Sequence, residues 1–156
     1  IATAFGCEVI YYSASGKKRS DEYRQVDLDT LLKGSDIVSC HAPLNEKTYH
    51  LMDAEAFGKM KETALFINVG RGPIVNEKDL AKALKKGKIA AAGLDVLEEE
   101  PMRKDNPLRK LEVGDRLLIT PHIAWAAVEA RTRLLHEVYK NLKAFQNGEK
   151  RNVCTH

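Results

Sequence analysis

Five short apolar runs punctuate the chain, at residues 7–13 (CEVIYYS), 36–42 (DIVSCHA), 64–70 (ALFINVG), 90–96 (AAAGLDV) and 116–120 (RLLIT). None alternates cleanly between apolar and polar positions, which predicts strands buried on both faces of a parallel sheet. The segments between them carry helix signals. In DLDTLLKGS (27–35) Asp27 or Asp29 is a candidate N-cap, and Asp53 and Asn76 open DAEAFGKMK and NEKDLAKALKKGK. Gly34 and Gly87 are candidate C-terminal stops. A long amphipathic segment, about residues 125–149, places Val128, Leu134 or Leu135, Val138, Leu142 and Phe145 near helical spacing, and Gly148 should end it.

Strand and helix alternate, so the expected class is α/β with a doubly wound parallel sheet of Rossmann type. The opening IATAFGCEVIYY reads as a helix end, a turn at Gly6 and a strand, met in mid-pattern, so the fold is expected to be truncated at its N-terminus. The expected organisation is one partial dinucleotide-binding domain over residues 1–156, including the C-terminal helix. The polar stretch EEEPMRKDNPLRKLEVGD (98–115) is either a working loop or a mobile one.

Composition narrows the function classes. The 156 residues are 44% hydrophobic and 30% charged, as in one soluble globular domain. The 25 basic and 22 acidic side chains are interleaved to a formal charge of +3, an arrangement ill suited to nucleic acid. Cys7, Cys40 and Cys154 are few, odd in number and far apart, so neither a disulfide framework nor a metal site is expected. With no run long enough for a membrane span, a cytoplasmic protein without membrane partners is the expectation.

In open parallel sheets, ligands bind at the carboxyl ends of the strands. Arg71 follows one predicted strand, Asp95 and Glu100 another, and His122 a third. A guanidinium, a carboxylate and an imidazole converging on one edge suit a 2-oxo acid. The fork of an arginine holds the substrate carboxylate by two charge-assisted bonds, and an imidazolium protonates the carbonyl oxygen as hydride arrives. A neighbouring glutamate favours the charged imidazole. Gly70 and Gly72, flanking Arg71 in INVGRGPIVN, are expected to permit close approach of that anion.

The order and wording of the segments between residues 36 and 125 resemble the NAD(P)-dependent D-isomer-specific 2-hydroxyacid dehydrogenases. The resemblance rests on HAPLNEKTYHLMDAEAFGKMKETALFINVGRGPIVNEKDLAKAL, AAAGLDVLEEEP and LLITPHIAW, and continues less sharply to NLKAFQNGEKRNV. It implies that Arg71, Glu100 and His122 are the catalytic residues. It further implies that Asp95 bonds the nicotinamide carboxamide, that Ala42, Pro43 and Val69 to Arg71 line the dinucleotide, and that the backbone at His122 lies against the nicotinamide. PHIAWAAVEAR resembles the glycerate dehydrogenase and hydroxypyruvate reductase branch, which makes Trp125 a candidate substrate wall beside Arg71 and His122.

One departure concerns the cofactor, NAD or NADP. An NAD-preferring site carries an acidic residue at the end of the second strand, about 20 residues after the start of the glycine fingerprint. Here that place falls on Ser13, with Lys17, Lys18 and Arg19 close behind, and the glycine-rich loop is expected to lie before Ile1. The implied partners are a small 2-hydroxy or 2-oxo acid and a second copy of the chain in a homodimer. The alternative is a dinucleotide-sensing binding protein of the same fold, like the transcriptional corepressors that resemble these dehydrogenases.

Overall fold

A computed structural model describes residues 1–154 and divides into two compact units, one of residues Ile1–Pro121 and one that begins at His122. The first holds a four-stranded parallel sheet in the order β3-β4-β5-β6: Ile37–Cys40, Leu65–Asn68, Ala91–Leu94 and Leu117–Ile119. A separate parallel pair, β1 (Ile10–Tyr11) and β2 (Arg24–Gln25), precedes it. The helices between the strands are α1 (Leu28–Gly34), α2 (Ala54–Lys59) and α3 (Glu77–Lys85). A helix-flanked parallel sheet is therefore present, with each predicted strand at its place.

Burial is one-sided, which corrects the two-faced pattern predicted from the apolar runs. In register, Val38 stands beside Phe66 and Phe66 beside Ala92, all buried in one cluster with Leu32 of α1, Phe57 of α2 and Leu80 and Leu84 of α3. Phe57 and Phe66 meet edge to face, with ring centroids 5.3 Å apart, a geometry worth about 1 kcal/mol beyond the area it buries. The alternate positions Ile37, Leu65 and Leu118 are exposed by 52%, 41% and 65%. An apolar run thus reports what a strand can bury, not how many faces are covered. The first run shortens to two residues because only Ile10 and Tyr11 find a ladder partner, and that partner, Arg24–Gln25, carries no apolar signal.

The helix ends follow local chemistry. Asp27, rather than Asp29, caps α1: its carboxylate accepts from the Thr30 backbone at 2.7 Å and the Thr30 hydroxyl at 2.8 Å. Asp53 and Asn76 cap α2 and α3 through the backbone N–H of Ala56 and Asp79. Gly34 is the last residue of α1 with Ser35 as its C-cap, so it does not act as the left-handed stop expected of it. Gly87 does: at φ 67° it lets the Lys88 amide reach back to the Ala83 carbonyl at 2.9 Å.

The second unit is built on α4, Val128–Gln146, closed in the same way by Gly148 at φ 71°, with the Glu149 amide on the Ala144 carbonyl at 2.8 Å. The tail folds back so that Arg151 bonds both Glu137 and Asn141, and this guanidinium holds the Glu137 carboxyl below its ordinary range. No helix among the described residues is long and apolar enough to cross a membrane.

The Thr30 bonds, backbone first, also lower the pKa of Asp27 below its ordinary value. A carboxyl depressed in the folded state stabilises fully above its unfolded pKa and loses that contribution as pH falls through the folded value. Replacing Asp27 with Asn, a cap of similar strength, should leave neutral-pH stability nearly unchanged and flatten the acid limb of a stability-versus-pH curve. Asp27→Ala, which removes the cap altogether, should be less stable than either the wild type or Asp27→Asn at neutral pH, measured by urea unfolding.

Candidate functional site

Three loops leave the carboxyl ends of β3, β4 and β5, and their backbones are locked together. The first holds His41, Ala42, Pro43 and Leu44. It is pinned by Thr48, a fully buried residue whose hydroxyl donates to the Pro43 carbonyl at 2.6 Å and accepts from the Asn45 amide at 2.9 Å. His41 itself turns back to the Ser39 hydroxyl at 2.8 Å.

The second loop is the Gly70–Arg71–Gly72 turn. Asn68, also fully buried, clasps it from beneath, accepting from the Gly70 amide at 3.1 Å and donating to the Arg71 carbonyl at 3.0 Å. Arg71 is exposed and extended, at φ −141° and ψ 140°, with its guanidinium folded onto the Gly70 carbonyl at 2.8 Å. A ladder to the segment before α2 supports the far end. The His50 amide reaches the Pro73 carbonyl at 2.9 Å, Met52 the Ile74 carbonyl at 3.0 Å, and Asn76 the Met52 carbonyl at 3.0 Å.

The glycines explain themselves here, and not in the way the sequence suggests. A Cβ on Gly72 would lie 1.7 Å from the Leu97 carbonyl oxygen and 2.5 Å from the Glu98 nitrogen. One on Gly70 would meet the Ala42 carbonyl oxygen at 3.2 Å and that of Cys40 at 3.4 Å. What approaches is neighbouring backbone, so the glycines bring the loops after β3, β4 and β5 into contact rather than clearing a path for an anion.

The third loop carries Asp95 and Glu100. Asp95 is buried, its amide on the Asn68 carbonyl at 2.9 Å and its carboxylate receiving the Thr120 hydroxyl at 2.6 Å. Glu100 is exposed and folds back so that Oε1 accepts from the Leu97 amide at 3.0 Å. The structure thus gathers Ala42, Pro43, Val69, Gly70, Arg71, Asp95 and the Glu100 loop at one edge of the sheet.

His122 and Trp125 belong to the second unit, where they form a local pair. His122 has φ 55°, a left-handed conformation uncommon for any residue but glycine. The Trp125 indole N–H donates to the His122 carbonyl at 2.9 Å, so this side chain fastens the turn that presents the histidine.

Ser13 lies just past β1 and is buried, with its hydroxyl 3.2 Å from that of Ser15. The basic segment behind it is ordered. The Tyr11 hydroxyl accepts from the backbone of Arg19 at 2.9 Å and of Ser20 at 3.2 Å, and the Arg19 guanidinium reaches the Ser15 hydroxyl at 3.2 Å. Lys18 is drawn instead to Asp21 at 2.5 Å. A cavity of about 640 Å³ opens beside Ser13, lined also by Tyr12, Gly16, Gln25 and Thr30 and by the charged Arg24 and Asp27.

Asn68, Thr48 and Thr120 went unnoticed in the sequence. Asn68 and Thr120 are polar residues within or at the end of apolar runs, whereas Thr48, in the polar stretch after β3, carries no such signal.

Comparison with known proteins gives the family of the fold. The family model described as D-isomer specific 2-hydroxyacid dehydrogenase, NAD binding domain, matches residues 1–124. A glyoxylate reductase of Korarchaeum cryptofilum is 44% identical over 95% of this chain and 45% of its own length. A hydroxypyruvate reductase of Blautia hydrogenotrophica is 41% identical over 98% of this chain and 47% of its own. Among solved structures, the D-lactate dehydrogenase of Aquifex aeolicus complexed with NAD and lactic acid superimposes with a TM-score of 0.83 at 36% identity, covering 94% of this chain and 48% of that one. The chain therefore spans about half the length of the relatives it matches.

If backbone contact is what Gly72 permits, Gly72→Ala must push Leu97 aside and should destabilise by about 3 kcal/mol or more. Gly70→Ala, with a tight but longer contact, should cost less. Gly58→Ala, in α2 with open space around its Cα, should be neutral or stabilising by up to about 1 kcal/mol. Urea unfolding of the three variants checks this order.

Proposed function

The chain belongs to the D-isomer specific 2-hydroxyacid dehydrogenases and spans their NAD binding domain, and from this we propose that the whole protein reduces small 2-oxo acids such as hydroxypyruvate or glyoxylate to D-2-hydroxy acids. The observation that carries the reading is the Gly70–Arg71–Gly72 turn, clasped by Asn68 and packed on the loop that bears Glu100.

The residues present fit a nicotinamide dinucleotide. Asp95 offers a buried, acceptor-only carboxylate oriented by Thr120 at the carboxyl end of β5, the partner a carboxamide N–H requires. Ala42, Pro43, Val69 and Gly70 supply backbone edge for the rest of the cofactor. When bound, the reduced dinucleotide supplies the hydride.

Arg71 holds the substrate carboxylate through its planar fork and polarises the carbonyl oxygen. His122 delivers a proton to that oxygen, and Glu100 favours the imidazolium from which the proton comes. Trp125 has a positioning role through the His122 carbonyl, in addition to the expected contact with substrate. The reading includes a cytoplasmic homodimer without nucleic-acid or membrane partners, supported by the family resemblance and the interleaved charge.

Oxidation of NADH or NADPH by hydroxypyruvate or glyoxylate, in the whole protein, tests the activity and separates it from a dinucleotide-sensing binding protein. Arg71→Lys keeps the charge and loses the fork. It should lower kcat/KM by about 100-fold or more, since a displaced substrate forfeits most of its orientation, while NAD(P)H affinity measured by fluorescence changes little. Equal losses in both would assign Arg71 to the cofactor or the fold.

The choice between cofactors turns on the end of β1. The residue at the strand end is Ser13 rather than an acid, and Arg19 reaches Ser15 beside it, although Asp27 and Arg24 also line the neighbouring cavity. The protein should accept NADPH appreciably. Ser13→Asp should shift the ratio of kcat/KM toward NADH, and Arg19→Ala should weaken NADPH selectively. A wild-type protein with strong NADH preference would overturn this assignment.

A further inference from the structure

The loop that presents Glu100 is pinned at three consecutive backbone groups. The Leu97 amide donates to the Glu100 carboxylate, the Leu97 carbonyl packs on Gly72, and the Glu98 amide donates to Oε1 of Glu77 at 2.8 Å. The third anchor lies outside the residues assigned so far. Glu77 is 4% exposed at the first position of α3, directly behind the Arg71 turn.

The contact is reciprocal. The backbone N–H of Glu77, one of the unpaired donors at the start of α3, donates to Oε1 of Glu98 at 2.9 Å. Each glutamate therefore accepts the other's amide. Oε2 of Glu77 accepts from the Asn106 amide nitrogen at 2.6 Å, and the orientation of Asn106 is set by its own oxygen, which accepts from the Leu108 amide at 2.8 Å. Glu98 in turn lies 3.3 Å from Nε2 of His50, the residue whose backbone supports Pro73.

Both oxygens of Glu77 face donors, so the site is built for a carboxylate, and burial pushes its pKa up against that need. A leucine would fill such a position more cheaply if packing were the only requirement.

Resting on the proposed dehydrogenase activity, we propose that Glu77 is a positioning residue for catalysis: with Glu98 and Asn106 it latches the Glu100 loop to the helix that follows Arg71, fixing the two catalytic side chains relative to each other.

The test exploits donor–acceptor matching. Glu77→Gln keeps the shape but turns an amide donor toward either the Glu98 N–H or the Asn106 amide. In the whole protein it should lower kcat by about tenfold, the order expected from a small displacement of a catalytic group, with NAD(P)H affinity unchanged. Adding Asn106→Asp restores complementarity, because the new carboxylate accepts from the glutamine and still receives the Leu108 amide. The double variant should recover kcat to within about threefold of wild type.

Hydrogen exchange gives a readout independent of turnover. The amide of Glu98 or of Leu108 should lose protection in the single variant and regain it in the double. Unchanged kcat in Glu77→Gln, or a double variant that regains protection without kcat, would overturn the proposal. A wild-type protein that turns over no 2-oxo acid would overturn the activity and the catalytic meaning of the latch together, while the exchange pattern would still report whether the latch exists.

Discussion

The packing of the Leu97 carbonyl onto the bare Cα of Gly72 sets the distance between the loops after β4 and β5. Protein interiors tolerate little slack, and a backbone carbonyl cannot move as a flexible side chain can. Once this contact is made, the Arg71 turn has one place to be, and the other bonds of the site follow from it. Asn68 satisfies the turn's own N–H and carbonyl from below, the Met52 ladder satisfies Ile74 and Asn76 from the side, and Thr48 closes the neighbouring loop after β3. Each buried polar side chain does work a loop cannot do for itself, pairing main-chain groups that leave the sheet before a helix can take them up.

This division of labour explains the distribution of polar residues in the first unit. Its buried polar and charged positions are Ser13, Thr48, Asn68, Glu77 and Asp95, and Asn68, Glu77 and Asp95 sit on the elements that bear Arg71 and Glu100. A buried carboxylate costs several kcal/mol unless its oxygens are bonded. Glu77 meets that condition with two donors, and its raised pKa shows that the compensation is incomplete. A carboxyl whose folded pKa is raised favours the fold below its unfolded value and gives that contribution up as pH rises through the folded one. Ionisation of Glu77 in the fold therefore works against stability, which is intelligible if what it provides is the fixed placement of a loop.

How much of this was legible in the sequence depended on whether the cause was local. The caps at Asp27, Asp53 and Asn76 and the stops at Gly87 and Gly148 act within a few residues, and the apolar runs mark their strands. Arg71, Asp95 and Glu100 could be singled out because strand ends are where sheets of this type bind ligands. The partner of Gly72 could not, since Leu97 is distant in sequence and a backbone carbonyl has no residue identity. The same holds for Glu77, whose partners are 21 and 29 residues away, and for Arg24–Gln25, a strand defined by pairing rather than composition. The open face of the sheet, at Ile37, Leu65 and Leu118, is a fact about neighbours, and an apolar strand reads the same whether or not that face is covered.

The second unit handles its histidine by a different means. A left-handed φ at His122 costs about 1–3 kcal/mol and persists only where surrounding bonds over-determine it. Two of those bonds are local. The Ala126 amide closes a turn on the Ile123 carbonyl at 2.9 Å, and the Trp125 indole returns to the His122 carbonyl, so residues 122–126 form a closed ring of contacts ahead of α4. The indole is half exposed, at 51%, and its hydrogen bond gives a reason for a tryptophan that burial alone does not supply. Phenylalanine would keep the ring and lose the N–H, leaving the left-handed turn to its own strain. Arg71 and Glu100 are thus placed by contacts between distant loops, and the imidazole by a turn that carries its own fastening.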